Sequence, residues 1–164
     1  MMISIVIPVL NEKESLLDLY LEISDVIIPY DDWEIIFIDD GSSDGSKDEI
    51  IDIISKDSKV KLISFYRNFG KSAALSEGFK HSRGDIIITM DADLQDDPAE
   101  IPNLINKINE GYDLVSGWKK IRHDPWTKTF PSKIFNFVTR ILTGVKIHDF
   151  NCGLKAYRNS VVKS

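Results

Sequence analysis

Short runs of branched apolar residues recur along the chain, and each is followed by a stretch of helical periodicity. Ile3–Val9 reads ISIVIPV, Trp33–Ile38 reads WEIIFI and Asp85–Met90 reads DIIITM. Runs without polar alternation belong to strands buried on both faces. Val60–Phe65 fits a further strand, and Asp113–Gly117 a short fifth. Between them, Glu14–Val26, Ser46–Ser55, Lys71–His81 and Pro98–Asn109 carry helical spacing, the last with proline in its first turn. This alternation predicts an α/β domain on a mainly parallel, doubly wound sheet. In such sheets ligands bind beyond the carboxyl ends of the strands. The length, 164 residues, suits a single domain with its own core.

The C-terminal part reads differently. Residues 118–130 look like a loop with Trp118, Trp126 and Phe130 set among basic side chains, and Pro131–Leu142 like an amphipathic helix. That helix would lie against either anionic lipid or the core. The pattern of His148–Tyr157 assigns no element. Charge divides at the same place. Residues 1–117 hold 10 basic and 24 acidic side chains, and residues 118–164 hold 10 and 2, so a chain of net charge −6 has a positive end. This asymmetry suggests an anionic partner: nucleic acid, a phospholipid surface or a phosphorylated substrate. Mutual neutralisation of the two parts is the alternative. At 43% hydrophobic and 28% charged the composition excludes disorder. No apolar run is long enough to cross a bilayer, and the N-terminus lacks a basic region followed by an apolar stretch and a cleavage site, so no signal peptide is expected. The single cysteine, Cys152, excludes an internal disulfide and reads as a small buried residue. A cytosolic setting is expected.

Three polar motifs fall at strand ends: PVLNE (Pro8 to Glu12), DDGSSDG (Asp39 to Gly45) and DADLQ (Asp91 to Gln95). Parallel strands would bring all three to one edge, within reach of one ligand. In the third, four aspartates lie within seven positions, Asp91 to Asp97, a costly crowding unless a cation sits among them. Asp91, Asp93 and the Gln95 amide offer hard oxygens suited to Mg²⁺ or Mn²⁺. Asp96 and Asp97, just before Pro98, are expected to cap the following helix. Asp39 and Asp40 suit base N–H or ribose hydroxyl groups, while Ser42, Ser43 and Asp44 suit a turn and an N-cap. In RNFGKSAAL, Gly70 permits close backbone approach and Lys71 stands at a helix start, where anions bind; a plain surface loop is the alternative. No G-x-G-x-x-G or Walker-type loop is present. His81, His123 and His148 are scattered, and no Ser–His or Cys–His arrangement is visible.

SIVIPVLNE, IDDGSSDGS, RNFGKSAAL, DADLQDDP, VSGWKKIRHDP and LTGVKIHDFNCGLKAYR together resemble family 2 glycosyltransferases, and within them the polyprenyl-phosphate glycosyltransferases. The resemblance implies a GT-A (Rossmann-like) fold, a nucleotide-diphospho-sugar donor (UDP or GDP), a divalent metal and inversion at the anomeric carbon. It also implies a polyprenyl (undecaprenyl or dolichyl) phosphate acceptor at the cytoplasmic face of the membrane. Pro8, Asn11, Glu12 and Asp40 would line the nucleoside pocket with Asp39 close by, and Lys71 would face the donor. Asp91, Asp93 and Gln95 would hold the metal. Lys119 and Arg122 would bind the acceptor phosphate, and Asp149 matches an acidic position near the metal. On this reading residues 1–117 form the donor and metal part and residues 118–164 the acceptor-facing part of one catalytic domain. Family members continue past Ser164, so the chain is expected to be C-terminally truncated or a reduced member, with an exposed apolar surface that favours self-association. Transfer to a glycan or protein, and a nucleotide-sugar binding module without turnover, are the alternatives; a nucleic-acid role has no recognised module to support it.

Overall fold

The computed structural model describes residues 1–117 and 152–163. Its strands are β1 (Met2–Val9), β2 (Asp32–Asp39), β3 (Val60–Ser64), β4 (Ile86–Thr89), β5 (Leu114–Ser116) and β6 (Lys155–Arg158). The helices are α1 (Lys13–Ile27), α2 (Ser46–Lys56), α3 (Lys71–His81), α4 (Ile101–Asn109) and the short α5 (Asn159–Val162), with a 3-10 turn at Pro98–Glu100. The strands form one sheet in the order β3-β2-β1-β4-β6-β5. The first four run parallel, with Ile5 opposite Ile35 and Ile88, whereas β6 is antiparallel to both β4 and β5.

The apolar runs supply two cores at once. In β1, Ile3, Ile5, Ile7 and Val9 join one cluster with Leu16, Leu19 and Ile23 of α1 and Ile50 of α2, and with the apolar face of α4. Val6, between them, joins the opposite cluster with Ile36 and Ile38 of β2, Ile87 of β4 and Ala74 of α3. Successive side chains point to opposite faces of a sheet, so a run with no polar alternation is what a strand covered on both sides requires. Helix α3 lies very close to that second face. A Cβ built on Gly78 would stand 2.3 Å from Val6 Cγ1 and 2.9 Å from Ile38 Cδ1.

At the amino ends of the strands the sheet buries one carboxylate. Glu34, 1% exposed, accepts Ser4 Oγ at 2.7 Å, Lys61 Nζ at 2.5 Å and the backbone N–H of Arg83 at 2.8 Å. Burial alone would raise its pKa. The bonds from Lys61, Ser4 and Arg83 outweigh burial and hold it below the ordinary carboxylate value.

Among the described residues the expected strands and helices are present, with three differences. Pro98–Asn109 divides into the 3-10 turn and α4. The stretch that assigned no element runs into β6, whose mixed pattern arises because only Ala156 is fully buried while its neighbours are half-buried. Asp97 caps the 3-10 turn, accepting Ala99 N–H at 2.9 Å, but Asp96 does not act as a cap. Asp96 is instead buried, with its carboxylate 3.4 Å from the Asp91 nitrogen. Reversal of the chain at this turn carries Asp96 back beneath the strand end. The expected loop at residues 118–130 and the helix at Pro131–Leu142 lie outside the described residues.

Two outcomes follow from this packing. Gly78→Ala drives a methyl group into the Val6–Ile38 contact and is expected to lower the unfolding free energy in urea by about 1–3 kcal/mol. Glu34, whose pKa is depressed on folding, contributes stability above the ordinary carboxylate range that is lost as pH falls through the depressed value. The stability gap between the wild type and Glu34→Gln, measured by urea midpoint, is therefore expected to narrow on acidification.

Candidate active site

The carboxyl ends of β1, β2 and β4 open into a cavity of about 330 Å³, bordered by Pro8, Glu12, Asp40, Lys71, Asp91 and Asp93 among others. All three strand-end motifs and the loop before α3 therefore meet at one place.

Each loop is held by side chains of another. The first residues of α1 and the turn before it have free N–H groups, and the second motif satisfies them. Ser42 Oγ accepts Asn11 N–H, Ser46 Oγ accepts Glu12 N–H, and Asp44 Oδ2 accepts Lys13 N–H, each at 3.0 Å. Asn11 Oδ1 in return accepts the Ser43 N–H at 2.9 Å. Asn11 has φ +56, a left-handed conformation that asparagine tolerates better than most residues. Ser15 Oγ, at the start of α1, donates to the carbonyl of Ala92 at 2.6 Å and so ties the first motif to the third. Asp40, 3% exposed, accepts the N–H groups of Phe69 at 2.7 Å and Gly70 at 2.9 Å. Gly41 is required beside it: at φ +76, a Cβ there would lie 2.5 Å from the carbonyl carbon of Arg67. Asp39 turns away from the cavity and accepts Ser42 N–H and Ser64 Oγ.

In the third motif, Asp93 Oδ1 accepts the Gln95 N–H at 3.1 Å, closing a tight turn through Leu94 at φ +58. Asp91 pairs with the Lys71 ammonium. Gly153 backs it from the other side, where a Cβ would meet the Asp91 carboxylate at 2.5 Å. Thr89 Oγ1 fixes that glycine by donating to its carbonyl at 2.9 Å. Negative charge is concentrated here. Loss of solvent, then the carboxylates of Asp93 and Asp44, raise the pKa of Glu12 above its ordinary value.

The cavity gathers Pro8, Glu12, Asp40, Lys71, Asp91 and Asp93 from the residues expected in the sequence. Asn11 and Asp39 shape the loops behind it. Gln95 lines a neighbouring cavity with Asp96 and Asp97. Lys119, Arg122 and Asp149 lie outside the described residues. Three contributors escaped the sequence reading: Asn68, which borders the cavity, Ser15 and Gly153. Their signals were position after a strand, a hydroxyl at a helix start and a glycine, each too common to single out. The hard oxygens of Asp91, Asp93 and Glu12 fit a magnesium-like or manganese-like ion by donor type. Among the described residues no group of three or more His, Cys, Asp or Glu side chains is arranged to hold a metal alone.

Residues 4–164 match the family described as glycosyl transferase family 2. The chain belongs to that family. It is 45% identical over 99% of its length to an undecaprenyl-phosphate 4-deoxy-4-formamido-L-arabinose transferase of Shewanella sediminis, covering 50% of that protein. It is 39% identical over 99% of its length to the enzyme of the same description from Pseudomonas aeruginosa, covering 49% of it. The chain thus spans about half the length of the curated relatives it matches. Among solved structures, glucosyl-3-phosphoglycerate synthase from Mycobacterium tuberculosis, with Mn²⁺, UDP and phosphoglyceric acid bound, superposes with a TM-score of 0.77 at 22% identity, over 98% of this chain and 56% of that one. A mannosyltransferase from Pyrobaculum calidifontis, in complex with GDP-mannose and Mn²⁺, gives a TM-score of 0.74 at 21% identity, over 98% and 45%. The fold of this glycosyltransferase domain is GT-A.

The raised pKa of Glu12 has a measurable sign. The native state is favoured while Glu12 is protonated and loses that advantage as pH rises through the raised pKa. Glu12→Gln, which keeps the neutral form at every pH, is expected to raise the melting temperature of the chain at neutral pH in a chelating buffer. The gain should vanish below the ordinary carboxylate range.

Proposed function

We propose that the protein containing this chain is an inverting, metal-dependent glycosyltransferase. It moves a sugar from a nucleotide-diphospho-sugar to a polyprenyl phosphate at the cytoplasmic face of the membrane. The observation that carries the reading is the meeting of three strand-end motifs on one cavity, with an ammonium and two aspartates at its mouth. The relatives, 39–45% identical along nearly the whole chain and described as undecaprenyl-phosphate sugar transferases, support it in acceptor and chemistry. They also make a 4-formamido-pentose the first sugar to test.

In this reading Pro8, Glu12 and Asp40 border the nucleoside, and Lys71 faces the diphosphate. Asp91 and Asp93 hold Mg²⁺ or Mn²⁺, whose contribution is to neutralise charge gathering on the departing nucleoside diphosphate. An acceptor phosphate is largely ionised near pH 7, its second pKa being about 6, so it needs placing more than deprotonating. We assign that placing to Lys119 and Arg122, and to Asp149 the role of base or orienting partner, on the family resemblance. The described chain contributes walls: Asp40 keeps the Phe69–Gly70 backbone folded against the cavity, and Ser15 holds the Ala92 turn in place. Among the described residues no helix is long and apolar enough to cross a membrane.

The test is transfer of labelled sugar from UDP- and GDP-sugars to undecaprenyl phosphate by the full-length protein, alongside calorimetry of UDP and GDP binding to this chain. Asp91→Asn and Asp93→Asn are each expected to cut transfer at least about 100-fold, in line with loss of one transition-state charge stabiliser. Nucleotide binding that ignores Mn²⁺ and is unchanged in Asp93→Ala would refute the assignment of the metal site.

A further inference from the structure

The Lys71–Asp91 pair has a consequence beyond the placing of a donor. Asp91 is held on three sides. Its backbone N–H points to the buried Asp96 carboxylate, Gly153 packs against its carboxyl group, and Lys71 pairs with Oδ1. Lys71 is held too. It is the first residue of α3, and the residue before it, Gly70, adopts φ +94 and has its N–H bound by Asp40. Nothing lies within 4 Å of a Cβ built on Gly70, so the glycine serves the backbone turn and not a close contact. The turn sets the lysine facing the third motif across the cavity. The ammonium occupies one oxygen of a carboxylate assigned to the metal.

We infer that Lys71 is a tethered counter-ion that competes with the divalent metal for Asp91 and couples metal binding to donor binding. The inference rests on the metal-site reading above and deepens it. Without nucleotide, Lys71 satisfies Asp91 and opposes the metal twice, by covering an oxygen and by adding like charge. A nucleoside diphosphate entering the cavity offers the ammonium another anion. Lys71 would move to the phosphate and free the Asp91 carboxylate, which with Asp93 would then be available to hold a divalent ion. Each ligand then strengthens the other, by the reciprocity that linkage imposes. The exchange is easy because the pair is partly exposed, with side-chain exposures of 55% for Lys71 and 27% for Asp91. Solvent-facing ion pairs of this kind are weak. The device also keeps the free site from retaining metal before the sugar nucleotide arrives.

The probe is MnCl₂ titrated into the chain and followed by the electron paramagnetic resonance of free Mn²⁺, with and without saturating UDP or GDP. Lys71→Met and Lys71→Gln are each expected to tighten Mn²⁺ binding without nucleotide by about two- to fivefold, the factor that matches a half-exposed ion pair. In both variants the further tightening produced by nucleotide should shrink. Lys71→Arg should keep the wild-type behaviour. A purely structural lysine would lower the melting temperature and leave Mn²⁺ affinity unchanged or weaker. That result, in variants with wild-type circular dichroism, overturns the inference while the metal site stands. Absence of Mn²⁺ binding by the wild type with either nucleotide, or binding indifferent to Asp91→Asn, removes the metal site and the inference with it.

Discussion

The candidate site depends on side chains of one loop satisfying backbone N–H groups of another. Helix starts and strand ends expose N–H groups that cannot be left unpaired without cost. Here Ser42, Asp44 and Ser46 satisfy those at the start of α1, and Asp40 satisfies two before α3. Carboxylates accepting N–H groups make the stronger kind of such bonds. The loops therefore order one another, and the sheet supplies only their starting points. A cavity wall built this way is fixed before any ligand arrives, which reduces the reorganisation that binding requires.

The same economy of polar groups leaves an electrostatic imbalance. Glu12, Asp91 and Asp93 face a common space, and Glu12 bears the strain as a raised pKa. Lys71 is the cation that the described residues set against Asp91. On the exchange inferred for Lys71, a diphosphate that draws the ammonium away leaves Asp91 without its counter-ion, so negative and positive charge each favour the arrival of the other. At the far end of the strands Glu34 shows the contrasting solution, a carboxylate fully supplied with partners and left with nothing to bind.

The parallel part of the sheet was legible because its apolar runs have one physical explanation, burial on two faces. Strand β6 was not, since Lys155, Tyr157 and Arg158 are only half-buried and their pattern reflects a position among neighbours distant in sequence. Asp91 and Asp93 stand out in the sequence because crowded carboxylates are costly, and both border the cavity. Asp96 was misread because an acidic residue before proline usually caps a helix, and only the return of the turn beneath β4 reveals its burial. Gly153 could not be found at all. Its role comes from the absence of a side chain beside Asp91, a contact between residues far apart in the chain.

One backbone bond has a larger consequence. The Gly117 N–H donates to the carbonyl of Leu154 at 2.9 Å, so the chain leaves the sheet and rejoins it at nearly the same point. Insertions or deletions between residues 118 and 151 therefore cost little, since closing a longer loop adds little entropic cost. A lineage could thus exchange that segment as a cassette while the strand-end loops that border the cavity stay as they are.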